Sequence, residues 1–195
     1  MDRLEKQVQF ILEIDKLKNI LRRSYLIENQ RLETSSEHSW HVAVLASILA
    51  EHADEEIDTT KVIKILLFHD IVEIDAGDTF LYDSKGSADK AEKESRAAER
   101  IFGLLPDDQA EEMKKNWKEY ETRETPEAKF AYAMDRFMPI LHNYHTEGKS
   151  WKEHKIRLDQ VLSMNRPISQ GSEKLWEYAF ALINDAVAKG YLSKN

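Results

Sequence analysis

Residues 65–73 read ILLFHDIVE, an apolar run that carries His69, Asp70 and Glu73 in quick succession. A helix that is apolar almost all round is normally buried, and buried imidazoles and carboxylates are costly unless something pairs with them. At 3.6 residues per turn, His69 and Glu73 lie one turn apart with Asp70 beside them. We therefore expect a buried helix from Lys61 to about Glu73, with a metal or acid–base site on one face. The alternative is a core histidine that hydrogen-bonds to a backbone carbonyl.

The composition is typical of an all-α protein and limits the metal chemistry. Glycine and proline are few, six and four among 195 residues, and almost no segment alternates with period two. The chain has no cysteine, which excludes disulfides, thiolate metal sites and a cysteine nucleophile. A metal must therefore be held by His, Asp and Glu, a donor set that suits Mn²⁺, Mg²⁺, Fe²⁺, Co²⁺ or Zn²⁺.

Charge and hydropathy exclude two classes of partner. The formal net charge of −8 argues against a general nucleic-acid binder, which normally has a basic patch. A small phosphate substrate stays compatible, because a metal and one or two arginines supply local positive charge. The first residues mix charges without the apolar core of a signal peptide, and no apolar run approaches the roughly 18 residues that span a bilayer. We expect a cytoplasmic protein without membrane contact.

Helical periodicity and cap signals place the other helices. The first is expected from Asp2 to about Leu21, and Thr34 with Glu37 fits a capping box that starts the second. The second helix carries His38 on its apolar stripe, with His41 nearer the edge of that stripe. Further helices are expected at residues 87–102, 106–120, 151–164 and 172–190, with a loop at 79–86. No repeat or linker is evident, so we expect one domain over residues 1–195.

A helix that begins at Thr125 and Pro126 carries the second buried carboxylate. Asp135 stands there among apolar residues and needs a partner. Pro139 is expected to kink this helix or to interrupt its hydrogen bonding. Three polar residues follow, which either line the same cavity or lie on the surface: His142, Asn143 and His145.

Two polar segments are candidates for substrate contact. Arg22 and Arg23 precede Tyr25 where the first helical pattern ends, and paired arginines suit phosphate through bidentate hydrogen bonds. Solvated surface arginines are the alternative. Gly77 and Asp78 form a turn directly after the central helix, which places the carboxylate of Asp78 on a loop that leaves the expected site.

The arrangement H…HD…D over three helices carries a family resemblance. Its members are His38 within Ser-x-x-His-Ser, His69 and Asp70 within Phe-His-Asp-Ile-Val-Glu, and Asp135 within Ala-Met-Asp-Arg-Phe. This ordered set resembles the HD-domain metal-dependent phosphohydrolases, and in particular their 5′-deoxynucleotidase branch, over most of residues 1–145. The resemblance implies an HD-domain helical bundle of roughly eight or nine helices. Helices from about residue 150 would complete the core or a dimer interface.

The resemblance also implies roles for individual residues. One divalent ion, Mn, Co, Mg, Zn or Fe, would be bound by His38, His69, Asp70 and Asp135. Glu73 matches the carboxylate that works with the nucleophilic water, and Asp78 matches a loop carboxylate beside it. Arg23 matches an arginine that contacts the phosphate. Where the branch often has an aromatic residue directly after that arginine, near the sugar, this chain has Ser24 and then Tyr25.

The function so implied is hydrolysis of (deoxy)nucleoside 5′-monophosphates by attack of a metal-bound water. The alternatives are another small phosphorylated metabolite, a nucleoside di- or triphosphate, or a non-catalytic metal-binding regulatory module. Glu73 and Asp78 favour turnover, since a purely structural metal requires neither. A homodimer is expected, partly from the resemblance and partly because large apolar groups are frequent near the C-terminus, where they alternatively complete the monomer core: Trp151, Trp176, Tyr178 and Phe180.

Overall fold

The computed structural model describes residues 1–28, 31–83 and 89–194. Its elements, in chain order, are α1 (Arg3–Ile14), β1 (Leu21–Tyr25), β2 (Leu32–Thr34), α2 (Ser35–Leu49), α3 (Thr59–Phe68), α4 (Glu73–Ala76), α5 (Lys90–Phe102), α6 (Asp107–Thr122), α7 (Pro126–His145), α8 (Lys149–Glu153), α9 (Leu158–Asn165) and α10 (Glu173–Ala188). Helices α4 and α8 are single turns of four and five residues. The expected all-α class is confirmed. No helix in the described ranges is long and apolar enough to cross a membrane.

The first helix is shorter than the sequence indicated, and a small sheet follows it. Helix α1 ends at Ile14, a 3₁₀ turn continues to Asn19, and Ile20 already has an extended backbone. Strands β1 and β2 pair antiparallel, with Leu21 opposite Thr34. The expected helix end at Leu21 is therefore wrong, because pairing with a distant strand outweighs the local helical pattern.

The central helix is also shorter than expected, and this change places the metal-competent pair. Helix α3 ends at Phe68, and the next residues form tight turns in which the amide of Ile71 donates to the carbonyl of Phe68 and the amide of Glu73 to that of Asp70. Such i→i+3 bonds commonly tighten the end of a helix. His69 and Asp70 therefore lie where α3 ends, and the continuous helix expected up to Glu73 is not observed.

Two later expectations change in detail. The helix expected at residues 151–164 is divided into α8 and α9, and Lys155 between them has a positive φ of 53°, which a helix cannot contain. The helix expected from residue 87 is described from Lys90 onwards. Residues 84–88, which include part of the expected loop at 79–86, lie outside the described residues.

Two apolar clusters form the interior, and residues 65–72 contribute to both. The larger cluster joins α2, α3, α7 and α10 and contains Ile65 and Leu66. The smaller one joins α1, α5 and α6 and contains Ile71 and Val72. Residues from the C-terminal part, such as Trp151, are buried in the larger cluster. The expected single domain over residues 1–195 stays a prediction, which this shared packing supports.

The capping box at the start of α2 is present as the sequence indicated. The Thr34 hydroxyl accepts from the amide of Glu37, and a Glu37 carboxylate oxygen accepts from the amide of Thr34 at 2.9 Å. Because α2 carries His38, this cap fixes the start of a helix that contributes to the candidate site. We expect Thr34→Ala to lower the free energy of unfolding by about 1 kcal/mol. Denaturant unfolding of the variant measures this change.

Thr34→Ser is the matched control, since it keeps the hydroxyl and should change the free energy of unfolding by only a few tenths of a kcal/mol. Equal destabilisation by both substitutions would show that the methyl group of Thr34, and not its cap, matters.

Candidate metal centre

Four sequence-predicted ligands converge between α2, α3 and α7. His38 Nε2 lies 2.9 Å from Asp135 Oδ1, and His69 Nε2 lies 3.8 Å from the same oxygen. Potential ligand atoms of these three residues all lie within 4.8 Å of one another. Asp70 Oδ1 is 3.1 Å from His69 Nε2. Two imidazoles and two carboxylates thus face one small volume, as the order H…HD…D predicted.

Hydrogen bonding shows that this donor set fits a cation. His69 Nδ1 donates to the backbone carbonyl of Leu66 at 2.7 Å, so Nε2 carries the lone pair whenever the ring is neutral. That nitrogen is buried and has no hydrogen-bond partner within the described part of the chain, although a carboxylate oxygen of Asp70 stands close to it. Two acceptors at such a distance repel each other unless a positive charge lies between them. The orphaned nitrogen is therefore what a divalent ion would satisfy.

The electrostatics of the centre favour positive charge in the same place. Burial lowers the pKa of His69, but Asp70 and Asp135 outweigh it and raise that pKa to about 9. Burial raises the pKa of Asp135, but the hydrogen bond from His38 and the nearby imidazole of His69 hold that pKa well below its usual range. Burial, assisted by Asp70, raises the pKa of Glu73 well above its usual range. The carboxylates thus attract a proton or a metal ion, and a metal competes with protons for the two imidazoles.

Glu73 and Asp78, the two expected catalytic carboxylates, both border this centre. A carboxylate oxygen of Glu73 accepts a hydrogen bond from the Ser35 hydroxyl at 2.6 Å. The side chain of Asp78 is nearly buried, with its Oδ1 4.0 Å from Arg22 Nη1. Both line a cavity of about 300 Å³ that also contains His69 and Asp70. Glu73 and Asp78 therefore stand close enough to the centre to act on a bound group.

The arginine that enters the centre is Arg22, whereas the family resemblance selected its neighbour Arg23 as the phosphate contact. Its Nη1 donates to Asp70 Oδ2 at 2.8 Å, and its Nη2 lies 3.7 Å from Asp135 Oδ1. Arg23, the expected phosphate contact, is exposed and lies at the rim of the cavity. The two-residue period of a strand explains the difference, because β1 turns Arg22 and Ser24 to the side opposite Arg23.

The other two expected substrate contacts have different positions. Ser24 is buried and lines the cavity. The hydroxyl of Tyr25 instead donates to a carboxylate oxygen of Glu153 at 2.7 Å, and the ammonium group of Lys149 lies 4.0 Å from the centre of its ring. Ser24 thus lines the cavity, whereas Tyr25 contacts Glu153 and Lys149 and does not line it.

Tyr120, which contacts the centre, was not predicted from the sequence. The Tyr120 hydroxyl donates to Asp135 Oδ2 at 2.8 Å, so the second oxygen of this ligand is held in place. Nothing in the sequence around Tyr120 distinguishes it from an ordinary core aromatic.

Pro139, four residues after Asp135, remains inside an uninterrupted α7 but provides no amide hydrogen for the carbonyl of Asp135.

Comparisons with known proteins agree with this geometry. A family model described as the HD domain matches residues 14–176. The 5′-deoxynucleotidase HDDC2 of Homo sapiens is 30% identical over 151 residues, which cover 77% of this chain and 72% of that protein. Its counterpart in Danio rerio is 30% identical over 179 residues and covers 86% and 88%. A crystal structure described as a predicted metal-dependent phosphohydrolase, from Magnetospirillum magnetotacticum MS-1, is 52% identical, with a TM-score of 0.94 over 98% and 96% of the two chains.

The hydrogen bond from Tyr120 to Asp135 has a testable consequence for metal affinity. We expect Tyr120→Phe to weaken binding of Mn²⁺ or Co²⁺ to the stripped protein about tenfold, because partners that orient a ligand contribute to affinity. Competition with a chelator measures the dissociation constant. The matched control is Tyr144→Phe, which removes a hydroxyl that donates to Asp185 on α10 and not to Asp135. Equal losses in both variants would contradict the positioning role of Tyr120.

Proposed function

The chain belongs to the HD domain family, and on that premise we propose that it is a metal-dependent phosphohydrolase that releases phosphate from (deoxy)nucleoside 5′-monophosphates. One observation carries the proposal: two imidazoles and two carboxylates converge beside a cavity that also presents Glu73 and an arginine. The 5′-deoxynucleotidase names of the relatives support the substrate class. The cavity of about 300 Å³ is at the small end of ligand pockets, which favours a mononucleotide over a di- or triphosphate.

The metal would be held by His38, His69, Asp70 and Asp135. A divalent ion there supplies a Lewis acid that polarises a phosphoryl oxygen and lowers the pKa of a water molecule. Glu73 would then accept a proton from the attacking water, or donate one to the departing 5′ oxygen. The hydrogen bond from Ser35 fixes the Glu73 carboxylate for this task.

Positive charge around the cavity supports a phosphate substrate. Arg22 is held by Asp70 inside the centre, where it would offset charge on the phosphoryl oxygens as they approach. Arg23 lies at the cavity mouth, where a smaller adjoining cavity is also lined by Lys90 and Lys93. We propose that Arg23 receives the phosphate at the entrance, whereas Arg22 contacts it next to the metal. Ser24, beside Arg22 in the cavity, replaces the family's aromatic residue, and preference for a 2′-deoxy sugar stays a prediction.

Two expectations about the whole molecule also stay predictions. A cytoplasmic location is one. A homodimer is the other, and the structure narrows the surface it would use. Trp176 is buried in the core with Trp151, whereas Tyr178 and Phe180 are exposed on α10. We propose that the exposed pair, and not the buried tryptophans, contributes to a dimer interface.

Replacing Glu73 separates an enzyme from a metal-binding regulatory module. We expect Glu73→Gln to lower kcat for phosphate release at least about 100-fold, since the amide cannot transfer the proton. Metal content, measured by elemental analysis, should stay at the wild-type value because Glu73 is not among the four proposed ligands. Glu119→Gln, at a half-buried carboxylate that pairs with Lys61 away from the cavity, serves as the control and should keep wild-type kcat. Unchanged turnover in Glu73→Gln would exclude the proposed proton transfer.

A substrate panel tests the reaction itself. Stripped protein is supplied with Mn²⁺, Co²⁺, Mg²⁺ or Zn²⁺ and assayed for phosphate release from ribo- and deoxyribonucleoside 5′-monophosphates and their 3′ isomers. We expect metal-dependent release from the 5′ series. Equal rates on ribo and deoxy substrates would keep the chemistry and remove the sugar preference. Tight metal binding without release from any nucleotide would instead favour another phosphorylated substrate or the regulatory module.

A further inference from the structure

A second cluster of metal-competent groups lies on the other side of His38. It consists of Glu33 on β2, His41 on α2 and His142 on α7, and potential ligand atoms of the three lie within 4.8 Å of one another. Glu33 and His142 are 1% and 2% exposed, whereas His41 is half-buried. None of these residues belongs to the centre described above. The proposed hydrolysis does not require them either.

Three polar atoms of this cluster, on Glu33 and His142, are buried without hydrogen bonds. Both carboxylate oxygens of Glu33 and the Nδ1 atom of His142 have no partner among residues 1–28, 31–83 and 89–194. The nearest donors to Glu33 Oε2 are His38 Nδ1 at 3.4 Å, Arg22 Nε at 3.7 Å and His142 Nδ1 at 3.8 Å. These distances exceed those of normal hydrogen bonds. A buried carboxylate without a hydrogen bond is costly, and a cation bound in this cluster would offset that cost.

The spacing suits a metal ion better than a direct hydrogen bond. In a tetrahedral site with bonds of about 2.0 Å, neighbouring ligand atoms lie about 3.3 Å apart. The 3.8 Å between Glu33 and His142 is close to that separation, and the rings of His41 and His142 have centroids 6.0 Å apart. Two imidazoles and one carboxylate form a donor set that zinc sites use. The half-buried side of His41 gives an ion access from solvent.

We propose that Glu33, His41 and His142 form a second divalent-metal site, which takes an imidazole-preferring ion such as Zn²⁺ or Co²⁺. The site joins β2, α2 and α7, the elements that surround His38. It contains two imidazoles and one carboxylate, whereas the first centre has two of each. Imidazole-rich sites suit Zn²⁺, Co²⁺ and Cu²⁺ more than Mg²⁺, so the second site should exclude Mg²⁺.

Metal stoichiometry tests the proposal without any substrate. Stripped full-length protein is incubated with Zn²⁺, passed through a desalting column and measured by elemental analysis. We expect two ions per chain in the wild type, one in His41→Gln and one in His69→Asn. The double variant should retain none. One ion in the wild type, unchanged in His41→Gln, would overturn the proposal.

Further measurements show whether a variant loses an ion because it misfolds, or whether surface histidines hold the ion. His41→Gln changes a half-buried group, so its circular dichroism spectrum should equal that of the wild type, and His142→Asn should give the same loss of one ion. His145→Gln removes an exposed histidine of the same helix α7 and should leave both ions bound. Loss of an ion in His145→Gln would mean that surface histidines hold it, which contradicts the site. Because no nucleotide is used, two bound ions without phosphate release would overturn only the proposed function.

Discussion

The structure depends on the burial of one carboxylate, that of Asp135, in the middle of α7. Its oxygens contact His38 from α2 at 2.9 Å and the hydroxyl of Tyr120 from α6 at 2.8 Å, and His69 lies 3.8 Å away. An unpaired carboxylate in this position would cost several kcal/mol. The helices pack in the arrangement that supplies partners for Asp135, and that same arrangement brings together the candidate ligands of a metal. Folding of the chain and formation of the centre therefore depend on the same helix packing.

A second constraint determines where the centre lies. Residues 65–72 pack Ile65 and Leu66 into one apolar cluster and Ile71 and Val72 into the other. The chain changes direction between the two clusters through the tight turns after Phe68. His69 and Asp70 occupy that change of direction. His69 and Asp70 thus lie between the two apolar clusters, just after the end of α3, where they line the cavity.

Features with a signal inside one helix could be predicted from the sequence. Features that depend on contacts between distant elements could not. The capping box at Thr34 and the embedded Asp135 could be predicted, because cap residues and helical stripes are read within one helix. The sequence did not show which of Arg22 and Arg23 faces the centre, because β1 has only five residues and such a short strand is hard to recognise beside a helical pattern. Tyr120 and Glu33 gain their roles only from partners on other elements. Local periodicity contains no information about such contacts, so the sequence indicated the candidate ligands but not the residues that support them.

Glu33 links the two clusters electrostatically. Its Oε2 atom lies 3.4 Å from His38 Nδ1 and 3.8 Å from His142 Nδ1, so it faces one histidine of each. Positive charge at either site acts on the other over a few ångströms in a low-dielectric interior, where such interactions are strong. Asp70 and Asp135 neutralise charge on one side, and Glu33 does so on the other. Each of the two neighbouring sites therefore has carboxylate charge of its own.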